Sequence, residues 1–168
     1  MPRSTRGFSL IELLIVVAII GIIAAIAAPG LLRARLSGNE ASAIASMRAI
    51  SSSEQAYSAK CMGYATSLPE LQAAGNFLSP DLTGAVSVVK NGYTVTLLAG
   101  AGNAGVPLPP AGCTAPGTRY YASATPAVVG STGNRAFATD EPGTIWQDIS
   151  GVAPPQPFVV AGTISVIQ

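Results

Sequence analysis

From Phe8 to Ala28 the chain offers almost nothing but apolar side chains: Leu10, Ile11, Leu13, Leu14, Ile15, Val16, Val17, Ala18, Ile19, Ile20, Ile22, Ile23 and Ile26. As a helix rising about 1.5 Å per residue, about 20 such residues cross a hydrocarbon core of about 30 Å. The residues before the run, Met-Pro-Arg-Ser-Thr-Arg-Gly, are short and polar. Arg3 and Arg6 flank the span and hold that end in the cytoplasm, so the rest of the chain is expected outside it.

Glu12 interrupts the run. A carboxylate inside a membrane span is costly and is usually paired. A cut between Gly7 and Phe8 would create an α-amino group four residues from Glu12, on the same helix face and at the same depth. The alternative is that Glu12 lies near the interface and snorkels.

The stretch Gly7-Phe8-Ser9-Leu10-Ile11-Glu12-Leu13 resembles the class III signal of type IV prepilins and type II secretion pseudopilins, closely over residues 6 to 29 and weakly beyond. The resemblance implies that a membrane aspartyl peptidase cuts after Gly7 and methylates the amine of Phe8. It implies that Glu12 pairs with a neighbouring subunit's N-terminus during assembly, and Pro29 matches a family proline near the end of the apolar segment. The residues agree. A small Gly7 lets a protease approach the backbone. Losing Arg3 and Arg6 leaves seven basic side chains against eight acidic ones.

A secretory signal peptide competes, with Arg3 and Arg6 as its n-region and Ala25-Ile26-Ala27 as its cut. The apolar run is longer than the h-region of about 7 to 15 residues in such peptides. Glu12 also sits where a secretory signal wants no charge, and amphipathic helix continues past the supposed cut.

Beyond the span, Leu36, Ala43, Met47, Ile50 and Tyr57 form one stripe in steps of three, four or seven, with Arg33, Arg35, Arg48 and Lys60 mostly off it. One long helix from the membrane to about Cys61 is predicted, rather than a separate surface helix, because no linker separates Ala28 from Leu31. Pro29 and Gly30 are the expected kink or melting point, and Gly38 is a second weak spot.

The remainder reads as strands. Ser67-Leu68-Pro69-Glu70 looks like a capping box opening a short helix to about Ala74. Ala85 to Lys90 and Tyr93 to Leu98 flank Asn91-Gly92, the strongest short hairpin signal, with Tyr93, Val95 and Leu97 on one face. Ala99 to Gly117 reads as a long loop. Arg119 to Ala124, Arg135 to Thr139, Thr144 to Gln147 and the tail Phe158 to Ile167 have strand character. The expected fold class is α+β: a long N-terminal helix on an antiparallel sheet of three to five strands, type IV pilin-like. The expected divisions are a leader at 1–7, a span or filament core at 8–29, an amphipathic continuation at 30–62 and a globular sheet domain at 63–168.

Composition removes several functions. Among 168 residues there are 9 Lys and Arg, 8 Asp and Glu, and no histidine. No basic patch supports nucleic-acid binding, and the commonest general base and metal ligand is missing. Cys61 and Cys113 are too few for a zinc site without histidine partners; in an exported chain they read as one disulfide, otherwise as two free buried thiols. Asp140, Glu141 and Asp148 could offer oxygen ligands to calcium, and some pseudopilins bind calcium near the C-terminus, but their ligand pattern is not recognisable here, and a solvated acidic turn is the favoured reading. Ser9 and Ser51-Ser52-Ser53 have no base beside them. Gly100, Gly102 and Gly105 lack the strand-to-helix context of a dinucleotide site.

The expectation is therefore a structural filament subunit, not an enzyme, with no cofactor or metal. Its partners would be copies of itself, a prepilin peptidase, the assembly machinery of a pilus or secretion system, and the lipid bilayer before assembly. It would pass once through a bacterial inner membrane and end in an extracellular pilus or a periplasmic pseudopilus. A Cys61–Cys113 bond leans toward the pilus.

Overall fold

The computed structural model describes residues 7–167; Arg3 and Arg6, and with them most of the expected leader, lie outside the described residues. Helix α1 runs Leu10–Cys61, with Pro29 inside it. The backbone stays helical through Pro29 and Gly30. A proline removes one i→i−4 bond and crowds one carbonyl, and here the neighbouring turns carry the helix past it without a melted turn. The described residues divide into two compact units after Arg35.

In the first unit every large apolar side chain of α1 from Leu10 to Leu32 is exposed. None of its most apolar 18 residues is buried within the chain. That helix is long and apolar enough to cross a membrane.

The second unit holds the core. Along α1, residues Glu40, Ala43, Met47, Ile50, Glu54, Tyr57 and Cys61 are buried. Their spacing alternates three and four without a gap, a continuous helical stripe. The apolar stripe legible in the sequence skipped two places in this register, and both are glutamates. The basic residues Arg33, Arg35, Arg48 and Lys60 are exposed, as expected.

After α1 come α2 (Leu68–Ala73) and α3 (Pro80–Thr83). Six strands follow: β1 (Ser87–Lys90), β2 (Tyr93–Ala99), β3 (Tyr120–Pro126), β4 (Ala136–Thr139), β5 (Trp146–Asp148) and β6 (Ile164–Val166). They form one antiparallel sheet in chain order, β1-β2-β3-β4-β5-β6. This is one strand more than the expected three to five, because the short tail strand β6 pairs with β5 through Trp146–Val166 and Asp148–Ile164. The tail strand is also shorter than the span from Phe158 suggested, and α3 was not anticipated. The architecture is α+β: a long helix on an antiparallel sheet, pilin-like.

Local chemistry explains most elements. Asn91 (φ 47°) and Gly92 (φ 73°) make the tight β1–β2 turn, the left-handed pair such hairpins need. Tyr93, Val95 and Leu97 of β2 are buried and share the core with Met47, Ile50 and Tyr57 of α1. A Cβ on Gly133 would lie 1.9 Å from the Tyr93 hydroxyl, so only glycine fits there; that hydroxyl donates to the Arg135 carbonyl at 2.8 Å. The capping box at α2 is offset from expectation. Ser67 makes no side-chain cap, and Glu70 instead accepts the Thr66 N–H at 2.7 Å.

Cys61 and Cys113 form a disulfide, with Cα atoms 5.6 Å apart. It ties the last residue of α1 to the Gly/Pro-rich segment between β2 and β3. That segment is further pinned by reciprocal backbone bonds of 2.7 and 2.8 Å between Tyr64 and Gly117.

Candidate functional site

The candidate site is the start of α1. Gly7, Phe8 and Ser9 precede the helix in non-helical backbone and are exposed, Phe8 at 87%. A peptidase needs an accessible backbone that is not locked in a helix, and the Gly7–Phe8 bond has one. A Cβ on Gly7 would meet nothing within 4 Å. Nothing in the chain's own described packing demands glycine there, so a requirement for a small residue would have to come from the enzyme that reads it.

Glu12 occupies the third helical position. Its Oε2 accepts the Ser9 N–H at 2.8 Å, while the Leu13 N–H donates to the Ser9 carbonyl at 3.2 Å. Ser9 is thus the N-cap, and Glu12 supplies the carboxylate half of a capping box, satisfying a backbone donor that the first helical turn leaves free. A carboxylate in the first turn also complements the partial positive charge of the helix N-terminus.

Phe8 lies outside the helix in this uncleaved chain, so Phe8 and Glu12 do not share a helix face here. Phe8 and the bonded Ser9 N–H are nevertheless adjacent in sequence, which keeps the Glu12 carboxylate close to where a cut after Gly7 would leave its amine. The role of Ser9 escaped the sequence reading, although the Ser-x-x-Glu spacing that signals a capping box was present.

The other carboxylates single out no metal centre. Asp140 Oδ2 accepts from Gln156 Nε2 at 3.3 Å, Glu141 Oε1 from the Tyr120 N–H at 3.0 Å, and Asp148 Oδ1 from the Ser150 N–H at 2.8 Å. Each serves a different stretch of backbone or side chain. Among the described residues no three metal-ligating side chains form a group suited to an ion. Ser52 and Ser53 donate to the Ala49 and Phe77 carbonyls, which leaves them as structural hydroxyls.

Two buried glutamates hold α1 to its surroundings. Glu40 forms an ion pair with Arg135, 2.6 Å from Nη2, and accepts the Asn134 N–H at 2.9 Å. Burial alone would raise its pKa, but the Asn134 and Arg135 hydrogen bonds outweigh it and hold the group below its ordinary value. Glu54 is fully buried. Its Oε2 accepts the Ala65 N–H at 2.8 Å, and its Oε1 has no hydrogen-bond partner. Burial, opposed by the Ala65 bond and reinforced by the Glu70 charge, pushes its pKa up to about 8.

No curated protein and no solved structure matches this chain. Residues 2–28 match the family model of the prokaryotic N-terminal methylation motif. That stretch contains the Gly7–Phe8 bond, the Ser9 cap, Glu12 and nearly all of the exposed apolar helix. It corresponds to the class III prepilin signal of type IV pilins and pseudopilins, and the N-terminus of this chain therefore carries a signal for prepilin-type processing.

Proposed function

We propose that this chain is a structural subunit of a type IV pilus-like filament, stored in the membrane as a prepilin. A peptidase removes residues 1–7 by cutting after Gly7, and the Phe8 amine is methylated. Residues 8–29 then serve first as the membrane span and afterwards as the filament core. Residues 30–62 continue the helix, with Pro29 and Gly30 as the point where it bends, and residues 63–168 complete the globular domain. Glu12 meets the Phe8 amine of a neighbouring copy and sets register. Assembly machinery in the membrane would draw subunits from the bilayer into a pilus.

The observation that carries this reading is a helix apolar on all sides and exposed along its whole first half, starting two residues after a methylation-motif cleavage bond. Such a surface is stable only in lipid or against other apolar helices. The disulfide supports a filament that works outside the cytoplasm and favours a pilus over a secretion pseudopilus.

Intact-mass analysis of membrane material tests it. We expect a chain beginning at Phe8 with one added methyl group. A mature start near Ala28 would sink the proposal in favour of a secretory signal, and an uncut Met1 would mark an ordinary single-pass protein.

A further inference from the structure

A cleft of about 570 Å³ opens in the sheet domain, far in sequence from the apolar helix, and the filament reading gives it no task. The volume lies within the range of roughly 300–1,000 Å³ typical of small-molecule sites. Its wall includes Trp146 and Phe158, whose rings stack at 5.4 Å between centroids and 27° between planes. Tyr121 continues the aromatic row behind Phe158, at 6.0 Å. Pro142 and Pro157 extend the apolar part of the lining, and Arg119, Asp140, Glu141 and Gln156 supply its charged and amide groups.

The hydrogen bonds show what is spent and what is free. Gln156 is a brace: its Oε1 accepts the Ala101 N–H at 2.7 Å and its Nε2 donates to Asp140 Oδ2 at 3.3 Å. Glu141 Oε1 is taken by the Tyr120 N–H at 3.0 Å. Arg119 gives one guanidinium N–H to the Ala101 carbonyl at 3.2 Å, and its charge acts on Asp140. Each group keeps capacity. One carboxylate oxygen remains on Asp140 and one on Glu141, and several N–H donors remain on Arg119. The cleft therefore pairs an aromatic plane with fixed acceptors and donors at one rim.

We propose that this cleft is a binding site for a neutral saccharide. A sugar ring presents a face of C–H groups that packs on an aromatic plane. Around its edge it carries hydroxyls that both donate and accept. Trp146 and Phe158 meet the first requirement, and Asp140, Glu141 and Arg119 meet the second. A cation would gain from the aromatic faces and from Asp140 and Glu141, against the one guanidinium of Arg119, so a cation is the competing ligand that the test includes. A small anion would meet two carboxylates. The mixed rim suits an uncharged ligand with many hydroxyls, and the site does not require the chain to be polymerised.

Trp146 is the single tryptophan of the chain, so its emission reports on this cleft alone. The full-length protein, held in a polyoxyethylene detergent that carries neither sugar nor ammonium, is titrated with glucose, galactose, mannose, N-acetylglucosamine, lactose and cellobiose. We expect a saturable change in Trp146 emission with at least one of them. Arg119→Gln and Asp140→Asn should each weaken that binding about tenfold, with the circular dichroism and the Cys61–Cys113 bond unchanged. Arg119 is exposed, so its substitution leaves the fold intact even if Asp140→Asn perturbs its turn. The proposal is overturned if no sugar gives a saturable response, or if Arg119→Gln binds as tightly as the parent. It is also overturned if tetramethylammonium saturates the emission while the sugars do not, since the cleft would then be a cation pocket.

Discussion

The two halves of α1 make opposite use of one secondary structure. From Leu10 to Arg35 the helix is almost wholly apolar and its large side chains are exposed. From Leu36 to Cys61 it is far more polar, yet it buries Glu40, Ser46, Ser51, Ser53 and Glu54 beside Met47, Ile50 and Tyr57. Hydrophobicity alone would assign the core to the wrong half. What decides is whether the partner lies within the chain. The second half has the sheet, which supplies apolar contacts together with Arg135 and backbone N–H groups able to satisfy carboxylates. The first half has no such partner among the described residues, and its almost uniformly apolar surface suits an apolar medium, lipid or other apolar helices.

The sharpest way to break that comparison is to change the single acidic residue in the first half, Glu12. Glu12→Ala makes the span more hydrophobic, so membrane insertion should be intact. It also removes the group available to a neighbour's Phe8 amine and the carboxylate half of the Ser9 cap. We expect normal membrane stores and cleavage but few or no filaments, read by comparing sheared material with membranes when the variant is the sole copy. Normal filament yield would make Glu12 an interfacial bystander.

In the second half the largest expected effect is on the Cys61–Cys113 bond, which closes a sequence separation of 52. Its removal by Cys61→Ala with Cys113→Ala should cost about 4 kcal/mol on the chain-entropy account. Denaturant titration of the full chain in detergent measures it. The loss should appear in the sheet domain, while the helicity of the apolar half stays unchanged. Equal stability with and without the bond would mean that the Tyr64–Gly117 backbone pairing already holds the loop.

The smallest effect sharpens the contrast between the two buried glutamates. Glu54 keeps its proton in the folded state up to about pH 8, whereas its ordinary value is 4.5. The folded state therefore binds the extra proton between those values, and stability falls as pH rises from about 4.5 to 8. Glu70 adds to this by its charge, and Tyr57, itself pushed up to about 12 by burial first and by Glu70 and Glu54 next, stays neutral throughout. Glu54→Gln keeps an acceptor for the Ala65 N–H and should raise stability on the order of 2 kcal/mol at pH 8, with little change at pH 4. Glu40 acts in the opposite sense. Its lowered pKa contributes stability above 4.5 that is lost as pH falls through the folded value. Melting curves across pH separate the two, and a Glu54→Gln profile parallel to the parent's would show that Glu54 is charged when folded.

Much of this was legible in the residues because the signals are local. The Phe8 to Ala28 run determines its own helix, since a length of apolar side chains is read without a partner. Asn91-Gly92 determines a hairpin because two left-handed residues leave the chain few other turns. The class III signal is contiguous, so the candidate site at Gly7, Phe8 and Glu12 could be named from seven residues. The disulfide was an open choice between pairing and two free thiols until the loop carrying Cys113 was placed against the end of α1. Other features depended on tertiary contact throughout. Glu40 and Glu54 complete the buried stripe of α1, yet a carboxylate in a sequence looks like solvent-facing charge. Only partners distant in sequence or across a turn, Asn134 and Arg135 for Glu40 and Ala65 for Glu54, make burial tolerable. The sixth strand and the cleft around Trp146 arise from segments brought together by the sheet, and no local pattern encodes which distant side chains will line a common space.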